Sequence, residues 1–433
     1  MNYDCVIMGG GISALTCGIS CAAAGLRTGI ISGGMSALHF SSGSIDLYGY
    51  HPDRKIVYRP FEQVEELIGH EPNHPYAKCG MDTIRGAMTF FKEQVAKGGL
   101  ELYDNGDANH FHVSTMGTVK PTYFSQRSVF NEAMKEEFRK RPKIALLTFT
   151  GYRDYYPELA AVNLKKSSLF AHLEIVTGEV TLPIYGRTSR NPHEFRSIDI
   201  ARIFDSERYI RNIADQIRKA AAGAAFAGLP AFIGINNYAK IHRRLSELTG
   251  LLVYEIPTLP PSILGMRIDD ALKTRFADLG GEFIAGDKIN GGEIIDGRLD
   301  HVHTENHGTT RIRAKYYVLA TGSFFSGGLV SGFNIIREPV FDLRLFRDNE
   351  RNRWYSQRFL DTAGHPFLEY GVETNGNLNP VTQEGRTVEN LFCAGAILAH
   401  YNPVADGCGG GVAVSTGYAA AKKIIRGCGA GAA

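Results

Sequence analysis

Gly9, Gly11 and Ala14 stand at the spacing G-x-G-x-x-[GA], directly after the apolar run at 3–8 and at the head of a stretch where Ile12, Leu15 and Ile19 recur at helical spacing. Gly9 permits a tight turn, Gly11 lets a phosphate approach the backbone, and Ala14 lets the helix lie near a sheet. The free N–H groups and dipole of the helix start favour an anion there. A second cluster, Gly407–Gly411 with Cys408 inside it, follows the strand-like "LFCAG" and precedes Val412, Ala413, Ser415, Gly417, Ala420 and Ala421. Small residues in that pattern can pack closely on a sheet. Each cluster also has a plainer reading, a tight turn in the first case and a close helix–sheet contact in the second.

A dinucleotide site asks for an acid about 20 residues further on, at the end of the second strand, to hold ribose hydroxyls. Here "RTGIIS" ends in Ser32, which supplies a hydrogen bond but no charge. The opening motif therefore speaks for a phosphate more strongly than for a whole dinucleotide.

These glycines need a scaffold, and the pattern around them predicts one. A β–turn–α–β unit at the start implies parallel neighbouring strands and a doubly wound α/β sheet of Rossmann type. A change of character after Pro260–Pro261 predicts a discontinuous ligand domain, residues 1–70 and 262–433, with an inserted α/β domain at 71–261. The longest apolar stretch, 220–235, reads as a helix tail, a turn at Gly228–Pro230 and a strand "AFIGI"; it is shorter than the ~20 residues that span a bilayer. Any membrane association is therefore expected through a partner. With 47 basic and 45 acidic residues, nothing asks for nucleic acid. Seven cysteines without a C-x-x-C pair argue for reduced thiols in a cytoplasm, and against an iron–sulfur or zinc site held by this chain alone. No signal peptide is read at the start, so a cytoplasmic chain is expected.

"GGGISA", "YYVLATG" at 316–322 and "NLFCAGA…GCGGG" resemble the two-dinucleotide-fold flavoproteins related to succinate dehydrogenase and fumarate reductase flavoprotein subunits. "SALHFSSGSIDL" at 36–47, "HPY" at 74–76, "PTLPPSILGMR" at 257–267, "LATGSFFSGGLV" at 319–330 and "IREP" at 336–339 look more narrowly like the B subunit of anaerobic glycerol-3-phosphate dehydrogenase. The resemblance implies flavin contacts from Gly9, Gly11, Ile12, Ala14 and Ser32, and from the loop Ser41, Ser42, Gly43 and Ser44. It adds Thr321, Gly322, Gly395, Ala396, Gly407, Cys408, Gly409, Gly410 and Gly411. A helix start at Gly409–Gly411 aimed at a flavin ring would stabilise the negative charge of its reduced form. Ala396 occupies a position where the wider superfamily commonly has an acid for the ribityl hydroxyls. With Ser32, that is a second missing acid, and both fit FMN better than FAD.

The implied reaction oxidises sn-glycerol 3-phosphate to dihydroxyacetone phosphate, with electrons passing to a quinone. It needs a hydride acceptor, a base and cations for the phosphate. His39 is the candidate base, and Arg267 and Arg337 the candidate cations, each arginine being equally open to a structural pair with an acid such as Glu338 or Asp269. Lys120 and His365 are further cationic candidates. The implied partners, placed at the inner face of the cytoplasmic membrane, are an iron–sulfur C subunit together with a flavoprotein A subunit. Two other readings stay open: an electron-relay subunit without its own substrate site, and a flavin-free scaffold.

Overall fold

The computed structural model describes residues 2–361 and 363–430. It divides into two compact units, one of Met1–Leu38, Ile45–Leu100 and Asp269–Ala433, the other of His39–Ser44 and Glu101–Ile268. The first unit thus extends to residue 100 rather than 70, and the second cut falls inside the helix Ile263–Asp278 rather than at 261. The helix Met81–Lys97 explains the earlier boundary. Its buried stripe of Ile84, Ala87, Met88, Phe91 and Val95 has helical period, and the Arg275 guanidinium donates to Gln94 at 2.8 Å. Period identifies the stripe but not which core it enters.

The first unit is built on a five-stranded parallel sheet, in the order Glu282–Ala285, Thr28–Ser32, Asn2–Met8, Arg313–Leu319, Leu391–Cys393. Cys5, Val6, Ile7 and Met8 are all buried, as expected of a parallel strand covered on both faces. The helices Ile12–Ala23 and Gly409–Gly427 pack closely together. A Cβ at Gly417 would stand 2.4 Å from the Ser13 carbonyl oxygen, so only glycine permits this approach.

The second unit carries a four-stranded parallel sheet, in the order Leu252–Ile256, Phe226–Pro230, Ile144–Phe149, Ile175–Val180. The strand inside the 220–235 stretch is therefore Phe226–Pro230, not "AFIGI". Pro230 is its last residue, where a missing N–H interrupts the ladder least. A ribbon of His110–Val113 with Val119–Thr122 lies outside this sheet. Among the described residues, no helix is long and apolar enough to cross a membrane.

Arg267 belongs to the core of the second unit. Its side chain is 1% exposed and pairs with Glu255, which is fully buried, through Nη1–Oε2 at 2.6 Å and Nη2–Oε1 at 3.0 Å. Nε and Nη2 also donate to the Gly234 carbonyl at 3.1 and 2.5 Å. The guanidinium is saturated, so it is not available to a substrate phosphate, and its partner is neither Glu338 nor Asp269. Burial works against the charged Glu255, but Arg267, the Ser128 hydroxyl and the Ile233 N–H outweigh it and hold the carboxyl below its ordinary 4.5.

Arg267→Met should cost about 3–5 kcal/mol in denaturant unfolding, because it strands a buried carboxylate, whereas Arg267→Met with Glu255→Leu should recover most of that loss. Since the folded-state value of Glu255 is depressed, its contribution is full above about pH 4.5 and lost as pH falls through that lower value. The double variant should lack this component of acid destabilisation.

Candidate functional site

The carboxyl ends of three adjacent parallel strands converge in the first unit, where Met8 pairs with Leu319 and Leu319 with Cys393. The chain leaves each strand through a turn tied to its neighbour. Ala320 N–H donates to Met8 O at 2.9 Å, Ala394 N–H to Leu319 O at 3.0 Å, and Gly9 N–H to Ile31 O at 2.8 Å. Gly9, at φ +116°, lies so close to the next strand that a Cβ would stand 2.2 Å from Ala320 O. Gly395 repeats the arrangement at φ +76° against Ser13, and its N–H donates to Thr416 Oγ1 at 2.9 Å. The three turns and the two helices therefore form one connected construction.

This construction leaves a cradle. A Cβ at Gly11 would meet open space, and the helix Ile12–Ala23 begins with no side-chain cap. The N–H groups of Ile12 and Ser13 open that helix, and Ala14 lies buried behind them. Thr321 Oγ1, just beyond the strand Arg313–Leu319, is buried with no hydrogen-bonding protein atom in reach. At the other helix start Cys408 is the N-cap and offers no side-chain bond, while Gly411 N–H donates to Asp46 O at 2.8 Å. Gly410 and Gly411 pass against Ile45, Asp46 and Leu47 at distances a Cβ would violate. A glycine-rich helix N-terminus at the end of the strand Asn2–Met8, and a second on the helix that Gly417 holds against it, favour an anion and an electron-rich ring. The residues present fit a flavin.

The positions that lack acids are equally defined. Ser32 Oγ donates to Gly34 O at 3.1 Å and sits beneath Gly10, and Ala396 is exposed in the turn Gly395–Ile397. Asp287 follows the strand Glu282–Ala285, but its carboxylate already accepts from Lys288 N–H, Asn306 N–H and His307 Nδ1 at 2.9, 3.0 and 2.7 Å.

The remaining candidates separate. His39 and Ser41–Ser44 lie in the second unit. His39 is half-buried, and its carbonyl accepts from Ser262 N–H at 2.8 Å. Lys120 Nζ donates to Ser42 Oγ at 2.9 Å and Ser44 Oγ at 3.0 Å. Arg337 is exposed at the end of the strand Ile336–Arg337 in the first unit, while Glu338 beside it is buried and accepts from the N–H groups of Val340 and Phe341. Burial raises the Glu338 carboxyl. Nδ1 of His365 accepts from Ser356 N–H, a bond that ties a surface loop.

Sequence reasoning passed over Tyr76. Its hydroxyl donates to Leu47 O at 2.6 Å and backs Gly411, while its own N–H is capped by His74 Nδ1 at 3.1 Å. The signal was "HPY", in which Pro75 opens the helix Pro75–Cys79 and His74 caps it.

The FAD binding domain family matches residues 4–412 of this chain. Curated relatives, each named as the B subunit of an anaerobic glycerol-3-phosphate dehydrogenase, align over nearly the whole length. The Aliivibrio fischeri protein is 39% identical over 98% of this chain and 96% of its own. The figures are 37%, 98% and 97% for Vibrio cholerae, and 38%, 98% and 99% for Mannheimia succiniciproducens. Among solved structures, a 3-ketosteroid delta1-dehydrogenase from Sterolibacterium denitrificans covers 98% of this chain and 100% of its own, at 10% identity and a TM-score of 0.47. The chain belongs to the family of B subunits of anaerobic glycerol-3-phosphate dehydrogenase, and is thus an oxidoreductase flavoprotein that works as one of several subunits.

Proposed function

We propose that this chain holds FMN in the first unit and takes part in oxidising sn-glycerol 3-phosphate to dihydroxyacetone phosphate. Electrons then leave through partner subunits, an iron–sulfur C subunit among them, to a quinone, a flavoprotein A subunit completes the complex, and the membrane is met only through those partners. The observation that carries the reading is the pair of glycine-rich helix starts without side-chain caps, on two helices packed together at Gly417.

The N–H groups of Ile12 and Ser13 would hold the phosphate, and the start of Gly409–Gly427 would face the part of the ring that gains negative charge on reduction. FMN is preferred to FAD because Ser32 and Ala396 carry no charge and Asp287 is already engaged. When bound, the flavin supplies a two-electron acceptor for hydride. The substrate's C2 hydrogen leaves as hydride, its hydroxyl hydrogen leaves as a proton, and a C=O bond forms. His39 is the proposed proton acceptor and Arg337 the proposed phosphate ligand.

A second reading has one observation in its favour. With Arg267 locked in its pair, the candidate cations for a phosphate are reduced, which suits a chain that relays electrons from its flavoprotein partner.

Two measurements check these statements. Glycerol 3-phosphate added anaerobically to the purified chain should bleach its flavin, and acid release should then yield the mass of FMN; bleaching only when the flavoprotein partner is added supports the relay reading, and FAD contradicts the cofactor assignment. Gly11→Ala should leave the flavin-free fold within about 0.5 kcal/mol of wild type, because its Cβ meets open space. The same change should weaken flavin binding by about tenfold or more, about 1.4 kcal/mol, as read by fluorescence titration.

A further inference from the structure

The ribbon His110–Val113 with Val119–Thr122 hides its polar face. Pairing sets His112 opposite Lys120 and His110 opposite Thr122, so these four side chains share one side. His110, His112 and Thr122 are at most 3% exposed, whereas Phe111 and Val113 on the other side are only half-buried. Burying imidazoles while apolar neighbours meet water runs against the ordinary partition of side chains. Such an inversion is expected where polar groups have work to do.

Both imidazole Nε2 atoms meet the hydroxyl of Ser125, itself fully buried. A hydroxyl has one hydrogen to give and two lone pairs, so Ser125 can donate to one ring while it accepts from the other. In that arrangement one ring carries its hydrogen on Nε2 and the other on Nδ1. Both Nδ1 atoms are buried with no hydrogen-bonding protein atom in reach. One of them is a bare lone pair and the other an N–H, and burial keeps both rings neutral, pushing His110 down to about 3.

We propose that His112, Ser125 and His110 form a proton relay through the interior of the second unit. A proton arriving at the bare Nδ1 of one ring releases that ring's Nε2 hydrogen to Ser125 Oγ. The hydrogen already on Oγ passes to Nε2 of the other ring, which gives up its Nδ1 hydrogen. Each ring forms one N–H bond and breaks one, Ser125 forms one O–H bond and breaks one, and no electrons change hands. The two tautomers are exchanged, and passage of a proton in the opposite direction restores them.

The two ends differ in their surroundings. His112 stands across from Lys120, whose ammonium lies on Ser42 and Ser44, a cation and two hydroxyls suited to an anionic, hydroxylated ligand. His110 packs against Tyr103 and Phe130, and the Asp104 carboxylate opposes the effect of burial on it. Tyr103, which packs on His110, lines a surface cleft with Asp104 and Lys135, and the proposed outlet to water lies on that side. Alcohol oxidation sheds one proton for each hydride removed, and the relay's use in turnover rests on the function proposed above.

The relay itself is tested without turnover, by nitrogen NMR of the full-length protein labelled at histidine. At pH 7 it should show His110 and His112 neutral and in opposite tautomers, a coupling that Ser125→Ala abolishes and Ser125→Thr keeps. Both rings in one tautomer, or either ring protonated, would overturn it. In the assembled complex, Ser125→Ala should slow flavin reduction by glycerol 3-phosphate about tenfold or more and turn a curved proton inventory linear, with Ser125→Thr restoring both. Reduction by the alanine variant at the wild-type rate would overturn the relay and leave the proposed function standing. Wild-type complex that glycerol 3-phosphate does not reduce would overturn the proposed function, with the tautomers still deciding the relay.

Discussion

Two helix N-termini in one small region are the constraint on which the first unit depends. Each carries roughly half a positive charge, so the pair is unfavourable until an anion or an electron-rich group lies against them. The contact of Gly417 with the Ser13 carbonyl holds the helices together, and it stands eight residues from the start of Gly409–Gly427. At 1.5 Å per residue, that helix begins about 12 Å along its axis from the contact. A ligand that satisfies both ends must be elongated, with a phosphate at one end and a charge-accepting ring at the other. A flavin mononucleotide has that form.

The second unit handles charge differently. Its Arg267–Glu255 pair is closed on all sides by Gly234, Ser128 and Ile233, which marks it as architecture. The imidazoles of His110 and His112 share one hydroxyl but leave a nitrogen each without a protein partner. Saturated polar groups fix a fold, whereas buried groups with valences left over are where chemistry can enter.

What could be read from the chain followed from how local each signal is. The strand, turn and helix of residues 3–23, Gly9 and Gly11, and the glycines before the last helix were legible, because backbone conformation demands them within a few positions. The missing acids at Ser32 and Ala396 were legible too, since motif spacing defines where an acid would stand. Arg267 was not, because Glu255 lies on a strand twelve residues earlier and sequence does not say which of several acids faces it. The domain boundary failed for a similar reason, as the apolar stripe of Met81–Lys97 has the same period whichever core it joins. "HFHV" did alternate, but alternation leaves open which side is buried, and here the histidines were inside.

The central claim is that the two helix starts together hold one flavin by its phosphate and its ring. A crystal structure of the protein with its flavin bound tests it most directly. The account predicts a single flavin phosphate hydrogen-bonded to the N–H groups of Ile12 and Ser13, with the ring reaching the start of Gly409–Gly427. A flavin bound elsewhere, or an adenosine half extending past Ser32, would contradict it.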